Sequence, residues 1–309
     1  MRIYYNFDQY QVQQPVITTG VFDGVHKGHV EILNRLKDAA KKRNGQSVVV
    51  TFWPHPKLVV QSDYHLKLLN TLEEKFSLLE INHIDNVVVL PFTSELAALS
   101  AEEYVQEFIV TKLNTKHLIM GFNHHFGRGR EGNFDLMENF GSKYDFSVEK
   151  LEPWLVENEK VSSTLIRKSL ADGEIQQANN YLGYTYMLTG KVVEGNRLGR
   201  TIGFPTANVL VEQDYKLIPK AGVYAVEVDC DGKRYPGMLN MGFRPTVNIN
   251  PNQMSIEVHL INFDGDLYNK QITLLFKQFV RNEKKFDNIE VLKEQLNVDK
   301  TRISKILGI

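Results

Sequence analysis

Apolar positions along the first half of the chain alternate between two rhythms. Short continuous runs at Val16–Thr19, Ser47–Phe52, Asn86–Leu90, His117–Gly121 and Phe146–Leu151 read as buried strands. Between the first two runs, Val30, Leu33, Leu36, Lys37 and Ala40 fall on one helix face, and Gly45 is placed to terminate that helix. Thr71-Leu-Glu-Glu and Ser100-Ala-Glu-Glu carry the Ser/Thr-x-x-Glu pattern, in which hydroxyl and carboxylate satisfy each other's backbone donors, so each predicts a helix start. Strand–helix–strand repetition predicts a parallel sheet with helices on both faces, a doubly wound, Rossmann-like α/β domain. Ligands of such sheets sit at the carboxyl ends of the strands.

After about residue 182 the rhythm changes. Strand candidates follow one another directly: Met187–Val193, Gly222–Val228, Tyr235–Met241, Ser255–Phe263 and Gln271–Val280. Asp231-Gly and Asp264-Gly predict hairpin turns. The pattern predicts a small antiparallel barrel or sandwich, closed by a helix over roughly Asn288 to Leu307. Ser163–Ser169 and Ile175–Tyr181 read as short linking helices, which puts the domain boundary at 182/183. There is no internal repeat.

Bulk properties narrow the function without naming it. The 309 residues are 42% apolar and 24% charged, with a formal net charge of −1. That balance argues against nucleic-acid binding, which needs a basic domain or stripe. A single cysteine, Cys230, excludes an intrachain disulfide and a cysteine-based zinc site. The first fifteen residues hold no apolar core of signal-peptide length, and no run of about 18 apolar residues occurs. These features predict a soluble, cytoplasmic protein with no membrane partner.

The chemistry concentrates in GVFDGVHKGH, residues 20 to 29, between the first strand and the first helix. Glycines let backbone approach a ligand, and a helix start offers unpaired N–H groups with positive partial charge. His26 and His29, three apart, can face one phosphate and stabilise charge that grows as pyrophosphate leaves. The competing reading is a glycine turn with two idle histidines. A second candidate is Gly127-Arg-Gly-Arg-Glu-Gly, a literal G-x-G-x-x-G with Glu149 downstream, which would suggest a dinucleotide oxidoreductase. It follows the fourth predicted strand, whereas the fingerprint belongs to the strand that opens the unit, and a mobile basic loop is the preferred reading.

The segment at residues 20–29 resembles the GxFDGxHxGH signature of nucleotidyltransferases, and the whole chain resembles the bacterial FAD synthetase family of bifunctional riboflavin kinase/FMN adenylyltransferases. Further segments match in order. Thr51-Phe-Trp-Pro-His-Pro is similar to TFxPHP, and Phe52, Pro54, His55 and Pro56 offer a flat apolar surface for a flavin or adenine ring. Gly121-Phe-Asn-His-His-Phe-Gly resembles a family loop that places Asn123 near the nucleotide, with His124 where the family usually has an aromatic. Val161-Ser-Ser-Thr-Leu-Ile-Arg is similar to SSTxIR, in which Ser163, Thr164 and Arg167 clamp the β- and γ-phosphates. Gly20, Phe22, Asp23 and Gly24 complete the implied ATP site, Asp23 either positioning Mg²⁺ or fixing the turn. An ordinary helix cap at Ser163 and a solvent-facing His55 are the bland alternatives.

In the second half, Gly195-Asn-Arg-Leu-Gly-Arg-Thr-Ile-Gly-Phe-Pro-Thr-Ala-Asn contains no Walker-type phosphate loop but resembles the riboflavin kinase motif GRxxGFPTAN. If Pro205–Asn208 is extended, Thr206 and Asn208 project to one side and present hard oxygens suited to Mg²⁺ carried by ATP. Gly195, Gly199, Arg200 and Gly203 are the other implied kinase ATP residues. Glu257 alternates with Ile256 and Val258, and the resemblance makes it the base for the ribityl 5′-hydroxyl. Asn262 stands where the family commonly has Asp. Met241-Gly-Phe-Arg-Pro-Thr and Phe279–Phe286 also match, and Arg281 is a candidate flavin or phosphate contact. His65, His83 and His117 read as surface or packing residues.

The resemblance thus implies a doubly wound nucleotidyltransferase domain over 1–182 and a riboflavin kinase barrel with a terminal helix over 183–309. Its substrates would be ATP, riboflavin and FMN. A cytidylyl or phosphopantetheine adenylyl transferase would leave the second motif set idle. A flavin-sensing protein without turnover would not need Glu257, Thr206 and both histidines.

Overall fold

The computed structural model describes residues 1–61, 66–152, 155–156, 159–195, 198–243 and 254–309. His65 and the Arg244-Pro-Thr part of the Met241 segment lie outside the described residues, as do Asn196 and Arg197. The chain divides into two compact units, Met1–Ser163 and Thr164–Ile309.

The first unit contains β1 (Arg2–Tyr4), β2 (Pro15–Thr19), α1 (Lys27–Lys42), β3 (Gln46–Trp53), α2 (Pro56–Val60), α3 (Leu72–Ile81), β4 (Asn86–Pro91), α4 (Ser94–Ala98) and α5 (Ala101–Tyr104). A wider π-helical stretch over Val105–Lys112 continues α5. After it come β5 (His117–Met120), α6 (Phe134–Tyr144), β6 (Ser147–Lys150) and the short pair β7 (Leu155–Val156) and β8 (Glu159–Lys160). The six-stranded sheet is parallel throughout, in the order β1-β4-β3-β2-β5-β6. β2 is buried along its whole length, because helices cover both faces, and this is why the sequence reads as a continuous apolar run. All five predicted strands are present to within two residues. The edge strand β1 was not foreseen: two exposed residues and one half-buried residue carry no periodic signal.

Both predicted capping boxes form, at Thr71 with Glu74 and at Ser100 with Glu103. The stop of α1 differs in detail. Gly45 donates its N–H to the Ala40 carbonyl at 2.9 Å and Asn44 donates to Lys41 at 3.2 Å. This is the six-to-one and five-to-two closure of a Schellman turn, with Asn44 (φ 50°) as its left-handed residue. Gly45 is required for space instead: a Cβ there would lie 2.1 Å from the Gln14 carbonyl oxygen.

The second unit opens with α7 (Ser163–Asp172, whose first residue belongs to the first unit) and α8 (Ile175–Leu182). It continues with β9 (Met187–Val193), α9 (Leu198–Thr201), β10 (Ala207–Leu210), β11 (Gly222–Cys230), β12 (Lys233–Phe243), β13 (Met254–Leu260), β14 (Gln271–Arg281) and α10 (Ile289–Leu307). The strands close a six-membered antiparallel barrel in the order β10-β13-β12-β11-β14-β9, which settles barrel against sandwich. Asp231 (φ 54°) and Gly232 (φ 79°) form the predicted hairpin between β11 and β12. Asp264-Gly does not form one: β13 and β14 are not neighbours, so this stretch links separate parts of the barrel. β10 was missed because its four residues follow a proline. Within this unit α8 attaches to the barrel, the Asn179 amide donating to the Phe276 carbonyl at 2.8 Å. Ile303 of α10 is fully buried with Ile202, Phe204 and Val223, so the helix seals the core beside the Gly-rich segment.

Candidate active sites

In the first unit the turn after β2 is held in an unusual conformation. Gly24 has φ 87°, but Phe22 (φ 51°) and Val25 (φ 34°) also take positive values, and such values are strained for a β-branched residue. Several bonds fix the turn. Leu69 N–H donates to the buried Asp23 carboxylate at 2.9 Å, the Ser163 hydroxyl to the Asp23 carbonyl at 2.8 Å, and Thr51 to the Val21 carbonyl at 3.1 Å. Of the two roles foreseen for Asp23, its contact with the Leu69 amide is the turn-fixing one. Gly20 packs on the Phe22 ring, where a Cβ would lie 3.2 Å away.

His26 caps α1, its Nδ1 accepting the His29 backbone N–H at 3.3 Å. The two imidazoles stack with centroids 3.7 Å apart and planes 16° apart, and Phe22 packs on His29 at 5.0 Å. Burial drives the His26 pKa down to about 4. It also pushes His29 well below its ordinary value, with His26 and Lys75 adding to the effect. Both rings are therefore neutral at pH 7. Among the described residues, His29 Nδ1 is buried with no hydrogen-bond partner, a state that costs free energy unless something else comes to it.

Sequence reading missed two supports of this turn. Lys75 on α3 is buried and donates Nζ to the Val21 carbonyl at 2.8 Å; burial lowers its pKa to about 8, against the pull of Asp23. A lysine in the first turn of a capped helix gave no signal that it would fold inward. The second support is His124, whose Nε2 meets the Thr19 hydroxyl at 3.0 Å. That contact ties the loop after β5 to the end of β2, where the strand order reverses. Burial, His125 and Arg130 lower the His124 pKa to about 4.

Of the remaining candidates, Asn123 is exposed on that loop. Phe52 is half-buried and meets Phe92 edge-on at 5.6 Å. His55 is buried and caps α2, accepting from Lys57 N–H at 3.1 Å, with Pro56 opening the helix and Pro54 exposed before it. Thr164 is exposed and Arg167 half-buried one turn along α7, beyond the unit division.

The Gly127–Gly132 loop is no dinucleotide turn. Its ends are pinned to the start of α5: Arg128 N–H donates to the Leu99 carbonyl at 2.7 Å, and Glu131 accepts from Ala101 N–H at 2.7 Å. Gly127 (φ 73°) is obligatory, since a Cβ would come within 2.7 Å of the Ala101 backbone. Glu149 pairs with Arg35 at 2.5 Å, and His117 is buried against the Ser147 hydroxyl at 2.7 Å, a packing role as read.

In the barrel, a cavity of about 240 Å³ is lined by Thr206, Asn208, Glu257 and Arg281 together with Phe204, Leu292 and Leu296. Thr206 donates its hydroxyl to Glu257 Oε2 at 3.4 Å. Thr206 also lines a second cavity of about 450 Å³, with Arg200, Pro205, Phe263 and Tyr268. Two glycines make room here. A Cβ on Gly195 would lie 2.0 Å from Asn208 Nδ2, and one on Gly199 would lie 2.2 Å from the Phe204 carbonyl oxygen. Gly203 (φ 86°) turns the chain into Phe204. His259 donates Nδ1–H to the Pro205 carbonyl at 2.8 Å and so anchors the extended Thr206–Asn208 segment to β13.

Arg281 reaches the cavity already engaged. Its Nη2 lies 2.6 Å from the carboxylate of buried Asp299, which Gln295 also contacts at 2.9 Å. The acid was visible in principle: Leu292, Leu296, Asp299 and Ile303 follow helical spacing, and one member of that stripe is charged.

The donor set of Thr206, Asn208 and Glu257 suits a magnesium ion that arrives with a nucleotide. Among the described residues no three His, Cys, Asp or Glu side chains form a cage that would hold a metal alone. No helix among them is long and apolar enough to cross a membrane.

Two such sites on one chain fit one class, a nucleotide-dependent transferase with two reaction centres. Comparison with known proteins makes this particular. The FAD synthetase family model matches residues 8–165 and the riboflavin kinase model matches residues 182–307. The bifunctional riboflavin kinase/FMN adenylyltransferase of Escherichia coli is 36% identical over 306 residues, covering 99% of this chain and 96% of that protein. The Pseudomonas fluorescens protein of the same name is 38% identical over 284 residues, 92% and 90% of the two chains. A crystal structure described as a macrolide-efflux protein from Streptococcus pneumoniae superimposes with a TM-score of 0.87 at 29% identity over 97% of both chains. The chain belongs to the family of bifunctional riboflavin kinase/FMN adenylyltransferases.

Proposed function

We propose that this enzyme works on one flavin twice, at two centres whose residues can be named. It phosphorylates riboflavin to FMN with ATP, then transfers AMP from ATP to FMN, giving FAD and pyrophosphate. Functionally we assign 1–182 to adenylyl transfer and 183–309 to phosphorylation. Cytoplasmic location suits its substrates, and no nucleic acid or membrane takes part.

In the barrel, Glu257 accepts the proton of the ribityl 5′-hydroxyl as that oxygen attacks the γ-phosphorus. Thr206 and Asn208 hold Mg²⁺–ATP on the nucleotide side, where Gly195, Gly199, Arg200 and Gly203 let the backbone close in. The metal supplies charge neutralisation on the phosphate oxygens. Arg281, fixed by Asp299, borders the apolar part of the cavity that receives the ring.

In the first unit, the α-phosphate lies against the turn 20–29. Neutral His26 and His29 donate hydrogen bonds to it, and these strengthen as pyrophosphate departs. Gly20, Phe22, Asp23 and Gly24 shape that turn. Ser163 belongs to it through the Asp23 carbonyl. Asn123, Thr164 and Arg167 are assigned to the nucleotide, and Phe52, Pro54, His55 and Pro56 to the flavin, on their motifs. No covalent intermediate with the enzyme is required.

The observation that carries this reading is the buried His29 Nδ1, without a hydrogen-bond partner among the described residues, on a strained helix-opening turn. The test is incubation with riboflavin, ATP and Mg²⁺ followed by chromatography of the flavins. FMN should appear first and FAD after it, and a chain that makes neither refutes the reading.

A further inference from the structure

Strand register gathers a residue at the barrel site that no motif singled out. Asn208 on β10 pairs with Glu257 on β13, and Glu257 pairs with Asn240 on β12. Asn240 in turn pairs with Val223 on β11, and Val223 with Arg281 on β14. Directly opposed residues of antiparallel strands send their side chains to the same face. All five line the cavity of about 240 Å³.

Asn240 is half-buried on that face, and its side-chain amide takes part in none of the hydrogen bonds among the described residues. Its two neighbours differ in kind. On one side stands Glu257, with Asn208 and Thr206 beyond it. On the other stands Val223, which belongs to the apolar core with Phe204 and Leu292. A substrate whose ring rests on apolar side chains and whose terminal alcohol reaches Glu257 must run its connecting chain past Asn240. A carboxamide offers a donor and an acceptor together, the match for a hydroxyl, which is also both.

We infer that Asn240 is a substrate-binding residue that reads the secondary hydroxyls of the polyol chain between flavin ring and reacting alcohol, and so sets specificity for a polyhydroxylated chain. The inference rests on the kinase reading of this cavity. A site built to bond hydroxyls discriminates strongly against an analogue that lacks them, because its polar groups are then left unpaired.

The test compares riboflavin with a flavin bearing a 5-hydroxypentyl chain at N10, which keeps the terminal alcohol and loses the secondary hydroxyls. The full chain should prefer riboflavin in kcat/KM. Asn240→Leu should reduce that preference by about tenfold or more, chiefly through the KM for riboflavin, with little change for the analogue. Asn240→Ser should restore part of the preference. A preserved melting transition of the barrel serves as the check that the substituted unit is folded. If Asn240→Leu does not fold, Asn240→Ala and Asn240→Ser decide by the same ratio. An unmodified chain without preference, a ratio unchanged by substitution, or an equal loss on both substrates overturns the inference. Glu257→Gln, assayed alongside, keeps the two readings apart: loss of phosphorylation on both flavins upholds the kinase site whatever Asn240 does, and full activity there refutes that site.

Discussion

The two centres are built in opposite ways. The proposed adenylyl centre draws its turn, cap and both imidazoles from ten consecutive residues, bent into positive φ at Phe22, Gly24 and Val25 and held by Asp23, Lys75 and Ser163. The proposed kinase centre takes Asn208, Asn240, Glu257 and Arg281 from four strands, and ordinary ladder pairing, through Val223 between Asn240 and Arg281, gathers them on one face. A continuous stretch concentrates donors at one helix start but must store strain to do so. A barrel spreads its groups through the sequence and needs no strain, since register is fixed by a buried face.

The sharpest way to break this comparison is to remove one group from each centre. Glu257→Gln should lower FMN formation by about 10²–10⁴-fold while added FMN is still adenylylated. His29→Ala should lower FAD formation by about 10²–10³-fold while FMN accumulates. Chromatography of the flavins reads both. Loss of both activities from a folded single variant would end the division of labour.

A smaller effect tests how tightly the barrel centre is packed. Gly195→Ala must displace the Asn208 amide, since the new Cβ would lie 2.0 Å from it. Misplacement on that scale should raise the KM for ATP in the kinase step by up to about 10²-fold, with adenylylation unchanged. An unaltered KM would show that Asn208 does not meet the nucleotide.

Acid should then separate the two units by stability. His26 and His124 are held near pKa 4 in the folded first unit, against about 6.5 when unfolded. Between these values the unfolded chain binds more protons, so stability is present above about pH 6.5 and is lost as pH falls toward 4. At pH 5 each of these histidines should cost about 2 kcal/mol. The barrel's one histidine, His259, is also lowered, chiefly by burial. Melting followed separately in the two units, between pH 7 and pH 5, should show the larger fall in the first; equal shifts would contradict the burial of these rings.

The smallest effect concerns the loop after β5. His124→Phe restores the aromatic common in the family but deletes the bond to Thr19. A net hydrogen bond of about 1 kcal/mol predicts a change of about fivefold in the KM for ATP of the adenylyl step, with kcat nearly constant. A KM that does not move would leave His124 a packing residue.

How much the sequence reveals follows from the same contrast. Apolar periodicity placed the parallel strands, because strands buried on both faces must be apolar throughout, and two capping boxes placed their helices. The histidine turn and the GRTIGFPTAN segment were legible because local backbone needs glycine and cap chemistry needs neighbours. Periodicity could not say which barrel strands pair, so Asp264-Gly passed for a hairpin and β10 went unseen. Lys75, the His124–Thr19 bond, the pairing of Asp299 with Arg281 and the place of Asn240 beside Glu257 came only from the folded molecule. Their partners lie far away in sequence, 54 residues for Lys75 and Val21, 105 for His124 and Thr19. Local chemistry is written in adjacent letters, whereas burial and strand register are decided by the whole chain packing at once.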